Sequence, residues 1–508
     1  MSTGEPRREN ERMNDGDIQP RAASGGYQGT DRDLWGLVAG IVSVWLFGHT
    51  FNNIGPAVGE ATGMSAPLTN VAVSLTSLLA GMLLVGWGSL ADRRGRMRMI
   101  VLGNVLNVVG CLMIAAATGT AGPALVIAGR ALEGLAQGAI TPAVLATVNL
   151  YWQGRGRDRA ISCISIGSFG GAAVSSFVAG ALASSPLTWR AVFVLGAAVS
   201  VLCLVLVRHI PESRTSSQEH LDIAGITSLA VGMLALQLAI TYGPKMGPAS
   251  AGTWALVVVC IAAILLFIHT ERTVKNPLID LRVFRVPMYT GAIMANFFLT
   301  STAGLTSVTL WVLQLAGGLS TATTGTLTLG YAVGVLLFVR LGERIMRRRG
   351  VRMPILLGAV LILVVGLLRM TTFLPLSVYV TLCAVAFVIY GVGIAVYATP
   401  LTTAALRPLP QAMAGTGMGA FKMASSLGSA IGLGVAGTIF TTVAAKGTPV
   451  LTRFITFQGA QNNVAVREAG IWALGAEVIM CLLAIVAILV WIRESDKNAE
   501  AVRALAKE

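Results

Sequence analysis

The chain has 508 residues, 55% of them hydrophobic and only 12% charged, with a net charge of +14. Soluble proteins carry roughly 25% charged residues, so this composition, with a mean hydropathy of +0.74 and apolar residues in long runs, excludes a soluble enzyme, a disordered chain and a disulfide scaffold. It leaves a polytopic α-helical membrane protein, because only helices and closed barrels span lipid and the sequence lacks the short alternating strands of a barrel.

Residues 1–33 are polar and lack the apolar core of a signal peptide, so a disordered cytoplasmic tail is expected there. A spanning helix needs about 20 apolar residues. By that measure fourteen spans are predicted, at 34–57, 67–90, 98–118, 122–148, 160–184, 188–208, 221–242, 252–270, 288–314, 321–341, 353–373, 376–404, 414–443 and 470–492. Residues 493–508 form a second polar tail.

The basic residues then sort by loop. RRGRMR (93–98), GRGRDR (154–159), RHIPESR (208–214), ERTVKNPLIDLRVFR (271–285), RLGERIMRRRGVR (340–352) and Arg407 together hold twenty Lys and Arg. The alternate loops hold six: Arg190, Lys245, Arg369, Lys446, Arg453 and Arg467. Cytoplasmic loops collect Lys and Arg, so both termini are expected inside and the number of spans even. The positive charge therefore records topology, and no nucleic-acid partner is expected. The six cysteines are single, with no CxxC pair, which suits packing residues and gives no metal site.

A weak repeat relates GSLADRRGRMR after the second span to ERIMRRRGVRM after the tenth, with Gly95 matching Gly350. It predicts two six-helix halves, 34–208 and 288–492, with two helices inserted between them in 209–287. Secondary transporters are built from such repeats and place substrate between the halves.

The segment Gly88-Ser-Leu-Ala-Asp92-Arg93-Arg94-Gly95-Arg96 has a physical reading of its own. Gly88 permits close packing at a helix end, Asp92 can bond helix N-terminal amides or a neighbouring Arg, and Gly95 allows a tight turn. The segment resembles the loop signature of the major facilitator superfamily, between its second and third helices. Further stretches resemble the fourteen-helix drug:proton antiporter branch. They are Arg130-Ala-Leu-Glu133-Gly134 with Gly138 and Pro142, the linker from Asn276-Pro277-Leu278 to Phe284, Trp189-Arg190 with Phe193, and Ala414-Gly415 with Leu427-Gly428 and Gly432.

The resemblance covers nearly the whole chain from about residue 34. It implies an all-α major facilitator fold of fourteen helices, in which Gly88, Asp92, Arg93, Gly95 and Arg96 form an inner latch that makes and breaks during alternating access. Three features depart from the branch: the stretch Leu46–Pro56 has no Asp, the fifth span keeps only Ser175-Ser176 with Ala179-Gly180, and Ser425-Ser426 replaces an Arg-Gln pair.

Ionisable groups within a bilayer are costly and functional by default. Arg130 and Glu133, one helical turn apart, are expected to couple protons, with His49 as a further titratable group. Lys422 is expected to bind an anionic group or pair with an acid from another helix, and Asn52, Asn53, Gln137, Gln237, Asn296 and Gln314 to line a polar cavity or join helices. Asn104 and Asn107 carry the same two readings. Glu477 is expected near the membrane interface, which leaves Arg130, Lys422 and Glu133 as the only deep charges.

No GxxxxGK[ST] loop and no catalytic pattern is present, so an ion gradient is expected to supply the energy, with no cofactor and no enzymatic activity. The expected function is proton-coupled efflux of amphipathic drugs by a monomer in a bacterial cytoplasmic membrane. The alternatives are a dedicated exporter of one metabolite, lipid or siderophore and, more remotely, a non-transporting sensor or scaffold.

Overall fold

The computed structural model describes residues 27–213, 222–247, 250–274, 281–409, 414–447, 449–461 and 463–492. The described residues are helical, with turns and short connections between helices. In chain order the helices are α1 (Asp31–His49), α2 (Phe51–Thr62), α3 (Ala66–Arg94), α4 (Arg96–Ala115), α5 (Gly122–Tyr151), α6 (Gly154–Ser165), α7 (Gly171–Ala183), α8 (Arg190–Val207), α9 (Ile223–Met246) and α10 (Ala251–Thr273). There follow α11 (Pro287–Ser301), α12 (Gly304–Leu315), α13 (Thr321–Leu327), α14 (Leu329–Arg349), α15 (Arg352–Arg369), α16 (Leu376–Leu406), α17 (Ala414–Lys446) and α18 (Val464–Trp491).

Twelve of the resulting segments are long and apolar enough to cross a membrane, and the bent pairs α1–α2 and α6–α7 bring the number to fourteen. The predicted spans are all matched, but four of them are interrupted. Between α1 and α2 the axis turns by 58°, where the Thr50 hydroxyl donates to the Phe47 carbonyl at 2.5 Å, a side-chain insertion of the kind that bends helices. A π-turn, Ile166–Gly170, joins α6 to α7. Thr302 and Ala303 separate α11 from α12, and Thr328 separates α13 from α14.

The basic segments fall at one end of the bundle, which we call the basic face. They sit at the ends of α3, α5 and α14 and the starts of α4, α6 and α15. The first described residues lie there too: Gly29 N donates to Tyr151 O at 3.1 Å, and Arg159 pairs with Asp31 at 3.1 Å. So do the last, since Arg352 Nη2 reaches Leu489 O at 3.0 Å. The start of α1 carries a capping box, with Thr30 accepting from the Asp33 amide and Asp33 from the Thr30 amide.

Burial comes from helix faces packed on one another, while outward faces stay apolar for lipid: Leu337 is 73% exposed and Val258 61%. The inserted pair α9–α10 packs on itself and meets the bundle through α9, which touches both α3 and α17. The long helix α17 is gripped by α3, α11 and α18. A Cβ on Gly432 would stand 1.8 Å from the Ser301 carbonyl oxygen, and one on Gly428 would stand 2.2 Å from that of Phe297. Backbones meet directly here, as small residues allow in membranes.

The repeat seen in the sequence has a structural counterpart. Gly95 and Gly350 each end a helix with positive φ, 119° and 77°, directly before the next span.

Candidate functional site

The most deeply buried charges in the first half are Arg130 and Glu133 on α5, only 1% and 2% exposed. Their three-residue spacing puts both on one face, and they form an ion pair. Arg130 also donates from Nη1 to Gly48 O at 3.1 Å and from Nε to Ala72 O at 3.0 Å, and it stacks over the Phe51 ring at 4.7 Å. One guanidinium thus ties α1, at its last turn before the bend, to α3 and α5. The Cys111 thiol on α4 lies 3.5 Å from Glu133 Oε1 and donates to it. His49, at the end of α1, is half-buried; its Nδ1 lies 2.9 Å from Trp45 O, and its ring stacks on Trp45 at 5.5 Å.

Of the polar residues marked by the sequence, Asn53 and Gln314 converge, and they are joined by Thr324, which the sequence did not mark, although α2 and the α12–α13 region are far apart in the chain. Gln314 Nε2 donates to Asn53 Oδ1 at 2.6 Å and to Thr324 Oγ1 at 3.0 Å. Asn53 Nδ2 donates to Ser176 O at 2.7 Å and Thr321 O at 3.1 Å. Asn70 adds bonds to Gly434 O and Thr438 Oγ1 at 3.0 and 3.1 Å. These bonds join the two halves at the end opposite the basic face.

Other marked residues join helices. Gln237 donates to Ser74 Oγ at 2.8 Å, fastening α9 to α3. Asn296 donates to Phe421 O at 2.8 Å, fastening α11 to α17, and Asn107 donates to Ser200 at 2.8 Å. Gln137 is buried one turn beyond Glu133, and Asn52 is half-buried on α2. Lys422 is exposed although Phe421 and Met423 beside it are buried.

At the basic face, Asp92 accepts from Arg96 Nε at 3.1 Å and from Nη2 at 2.9 Å, and Arg96 Nη1 reaches Ala146 O at 3.3 Å. Gly88 faces Pro142, and Arg93 is half-buried in the last turn of α3. The amides at the start of α4 are satisfied by Glu212, not by Asp92: its carboxylate accepts from Met97 N and Arg98 N, both at 3.0 Å. A Cβ on Gly95 would sit 2.4 Å from that carboxyl carbon. Loop charge alone concealed this role of Glu212 in holding the start of α4, since it lies far along the chain within a segment read as topogenic. Glu212→Ala should cost about 1 kcal/mol, the usual loss of a helix cap, measurable as a lower melting temperature in detergent.

An open groove of about 400 Å³ lies between α1 and α7 of the first half and α14 of the second, with Trp35, Ile166 and Leu336 exposed along it. Trp35, Val42, Leu46, Val174, Val335 and Leu336 are among its lining residues, none of which is charged.

The family model of the Major Facilitator Superfamily matches residues 37–433. The chain belongs to the major facilitator superfamily. Among curated relatives, it is 36% identical over 419 residues to the quinolone resistance protein NorB of Staphylococcus aureus strain MW2, covering 82% of this chain and 90% of that protein. The structure resembles that of a peptide transporter POT solved with sulfate, at a TM-score of 0.63 and 18% identity over 91% of this chain and 95% of the other. It also resembles a D-xylose-proton symporter, at 0.59 and 16% over 92% and 97%. At these identities the two solved structures speak for the shared fold.

This superfamily member departs from its sequence reading in its deep charges. Glu477 is not interfacial: α18 begins at Val464, so Glu477 lies near its middle and is 1% exposed. Arg369 is not in a loop but ends α15 with its side chain wholly buried. Arg467 is also buried, and its Nε donates to Thr372 O at 2.6 Å.

Proposed function

We propose that this transporter is a proton-coupled exporter that moves amphipathic drugs, quinolones among them, out of a bacterial cytoplasm by alternating access. The likeness to a quinolone resistance protein over 82% of this chain carries this reading. The fold supplies suitable parts: an apolar groove between the halves, a hydrogen-bonded closure at one end, and a buried ion pair beside the bend in the first span. No nucleotide-binding loop is present in the sequence, which favours an ion gradient as the energy source.

In this reading the basic face is cytoplasmic, residues 34–208 and 288–492 move as two units, and 209–287 bridges them. The conformation described is then closed toward the outside. Glu133 exchanges a proton as Arg130 shifts its hold, and the Asp92–Arg96 clasp acts as the latch of the cytoplasmic end.

Asn53→Ala should loosen the outer closure. Losing two or three hydrogen bonds of about 1 kcal/mol each should shift the equilibrium toward the outward-open state by roughly 30- to 150-fold. A membrane-impermeant thiol reagent, applied from outside to a cysteine placed at Thr324, would read this as faster labelling.

A second reading, a dedicated exporter of one anionic metabolite, is favoured by the exposed Lys422 on α17 and by the absence of Asp from Leu46–Pro56. Expression in a pump-deficient bacterium separates the two. Lower accumulation of several unrelated dyes and antibiotics supports drug efflux, and protection against a single anionic compound class supports the dedicated exporter.

A further inference from the structure

Among the buried charges of the last six spans, Arg467 and Glu468 bond to loop backbone, whereas Arg369 and Glu477 do not share in those bonds and are not used by the Arg130 site. Arg369, at the end of α15, is fully buried, and none of its three guanidinium nitrogens has a hydrogen-bond partner among the described residues. It rests on aromatic faces instead, with Cζ 4.2 Å from the Phe387 centroid and 5.3 Å from that of Tyr390. Glu477 on α18 is 1% exposed, with Oε2 unpartnered among the described residues. Tyr390 on α16 lies within electrostatic reach of both.

Their surroundings offer little other compensation. Beside Glu477 on its own helix is Cys481, and α16 presents Tyr390. Around Arg369 stand Tyr379 and Cys383. The backbone of Gly304, at the start of α12, lies against it, since a Cβ there would meet Glu477 Oε1 at 2.6 Å and Ala436 of α17 at 2.8 Å. The nearest basic residue toward the cytoplasmic end of α17, Lys422, is fourteen positions from Ala436, about 21 Å along the helix. On α11, Tyr289 is committed to Gly417 O at 2.9 Å.

An ionised carboxylate buried without a partner costs several kcal/mol, far more than the neutral acid. Arginine has no such escape, because it stays charged. The arrangement is therefore consistent with a protonated Glu477 in this conformation, with the guanidinium held apart on its aromatic shelf.

We propose that Glu477 is a proton-binding residue of the second half and that Arg369 becomes its partner once the proton leaves. The charge of the pair then alternates between +1, proton bound and groups apart, and zero, proton released and groups joined. Glu477 packs against the first residue of α12, and α12 also carries Gln314 of the outer closure. A change of partner at Glu477 thus has a direct mechanical path to that closure. This inference deepens the proton-coupled reading and rests on it.

The test is norfloxacin transport by purified protein in liposomes under an imposed pH gradient. Wild type should concentrate norfloxacin against its gradient. E477Q should lose that concentrating ability at least tenfold while still equilibrating norfloxacin downhill, and R369Q should do the same. Infrared spectra should show a protonated-carboxyl band in wild type that E477Q removes. Concentrating activity within twofold of wild type in E477Q, or in R369Q if E477Q does not fold, would overturn the proposal, as would a carboxyl band unchanged by E477Q. A wild-type protein that ignores the pH gradient would instead refute proton coupling as a whole.

Discussion

Arg130→Ala should abolish transport and lower stability by about 3–5 kcal/mol, the usual cost of removing one partner from a buried ion pair. The side chain serves three acceptors on three helices: Gly48 O, Ala72 O and the Glu133 carboxylate. Alanine leaves two carbonyls and an uncompensated carboxylate in a region where Arg130 and Glu133 are 1% and 2% exposed. The melting temperature in detergent should fall by at least about 5 °C, and drug accumulation in cells should rise to the level of a strain without the transporter. Arg130→Lys should recover part of the stability, because it restores charge but not a planar fork able to reach three directions. Glu133→Gln should be the mildest of the three for folding, since both carbonyl bonds of Arg130 survive. It should nevertheless uncouple transport from the proton gradient. An Arg130→Ala protein with wild-type melting and transport would show that the buried pair does no work.

Gly432→Val should be nearly as damaging by a different mechanism. Any Cβ at this position meets the Ser301 backbone oxygen at 1.8 Å, and a backbone oxygen at a helix end cannot rotate aside as a side chain can. The helices α17 and α11 would have to separate, undoing the adjacent contact of Gly428 with Phe297 and the bond from Asn296 to Phe421. Overpacking of cores costs about 1–3 kcal/mol and sometimes more, and this contact belongs at the high end. Gly475→Ala is the matched control, because its nearest neighbour would be Met370 Cε at 3.5 Å, an ordinary contact. Thermal melts should show a large loss for Gly432→Val and a change within about 0.5 kcal/mol for Gly475→Ala. Equal melting of the two variants would remove the case for direct backbone packing.

The contrast between these two sites shows what the sequence discloses. Fourteen spans were legible because lipid imposes a length and an apolar composition on each crossing, and Arg130 with Glu133 stood out as charges inside such a run. The bend at Thr50 was not legible, because an apolar run reads the same whether its helix is straight or turned by 58°. Glu477 was misplaced for a related reason. Arg467 and Glu468 look like loop residues, so the last span seemed to begin at 470. In the structure Glu468 accepts from Val450 N and Leu451 N, both at 3.0 Å, and Arg467 binds loop carbonyls. With their charges satisfied, the helix starts at Val464 and Glu477 moves to its middle.

Long-range pairings were invisible as well. Asn53 and Gln314 were each marked as polar groups in apolar surroundings, but their bond spans 261 residues. Glu212 reaches the start of α4 across 115 residues with no local pattern to announce it. Polarity within a span marks a residue as worth attention, and only the packing decides which residue it meets.

The most direct measurement of proton-coupled drug export uses purified protein in liposomes loaded with a pH-sensitive dye, with norfloxacin and a pH gradient as the two variables. Norfloxacin should move against its own concentration gradient when protons flow the other way, its addition should start proton movement, and an ionophore that collapses the pH gradient should stop both. Norfloxacin flux that is the same with and without the gradient, and unaccompanied by proton movement, would contradict proton-coupled efflux by this protein.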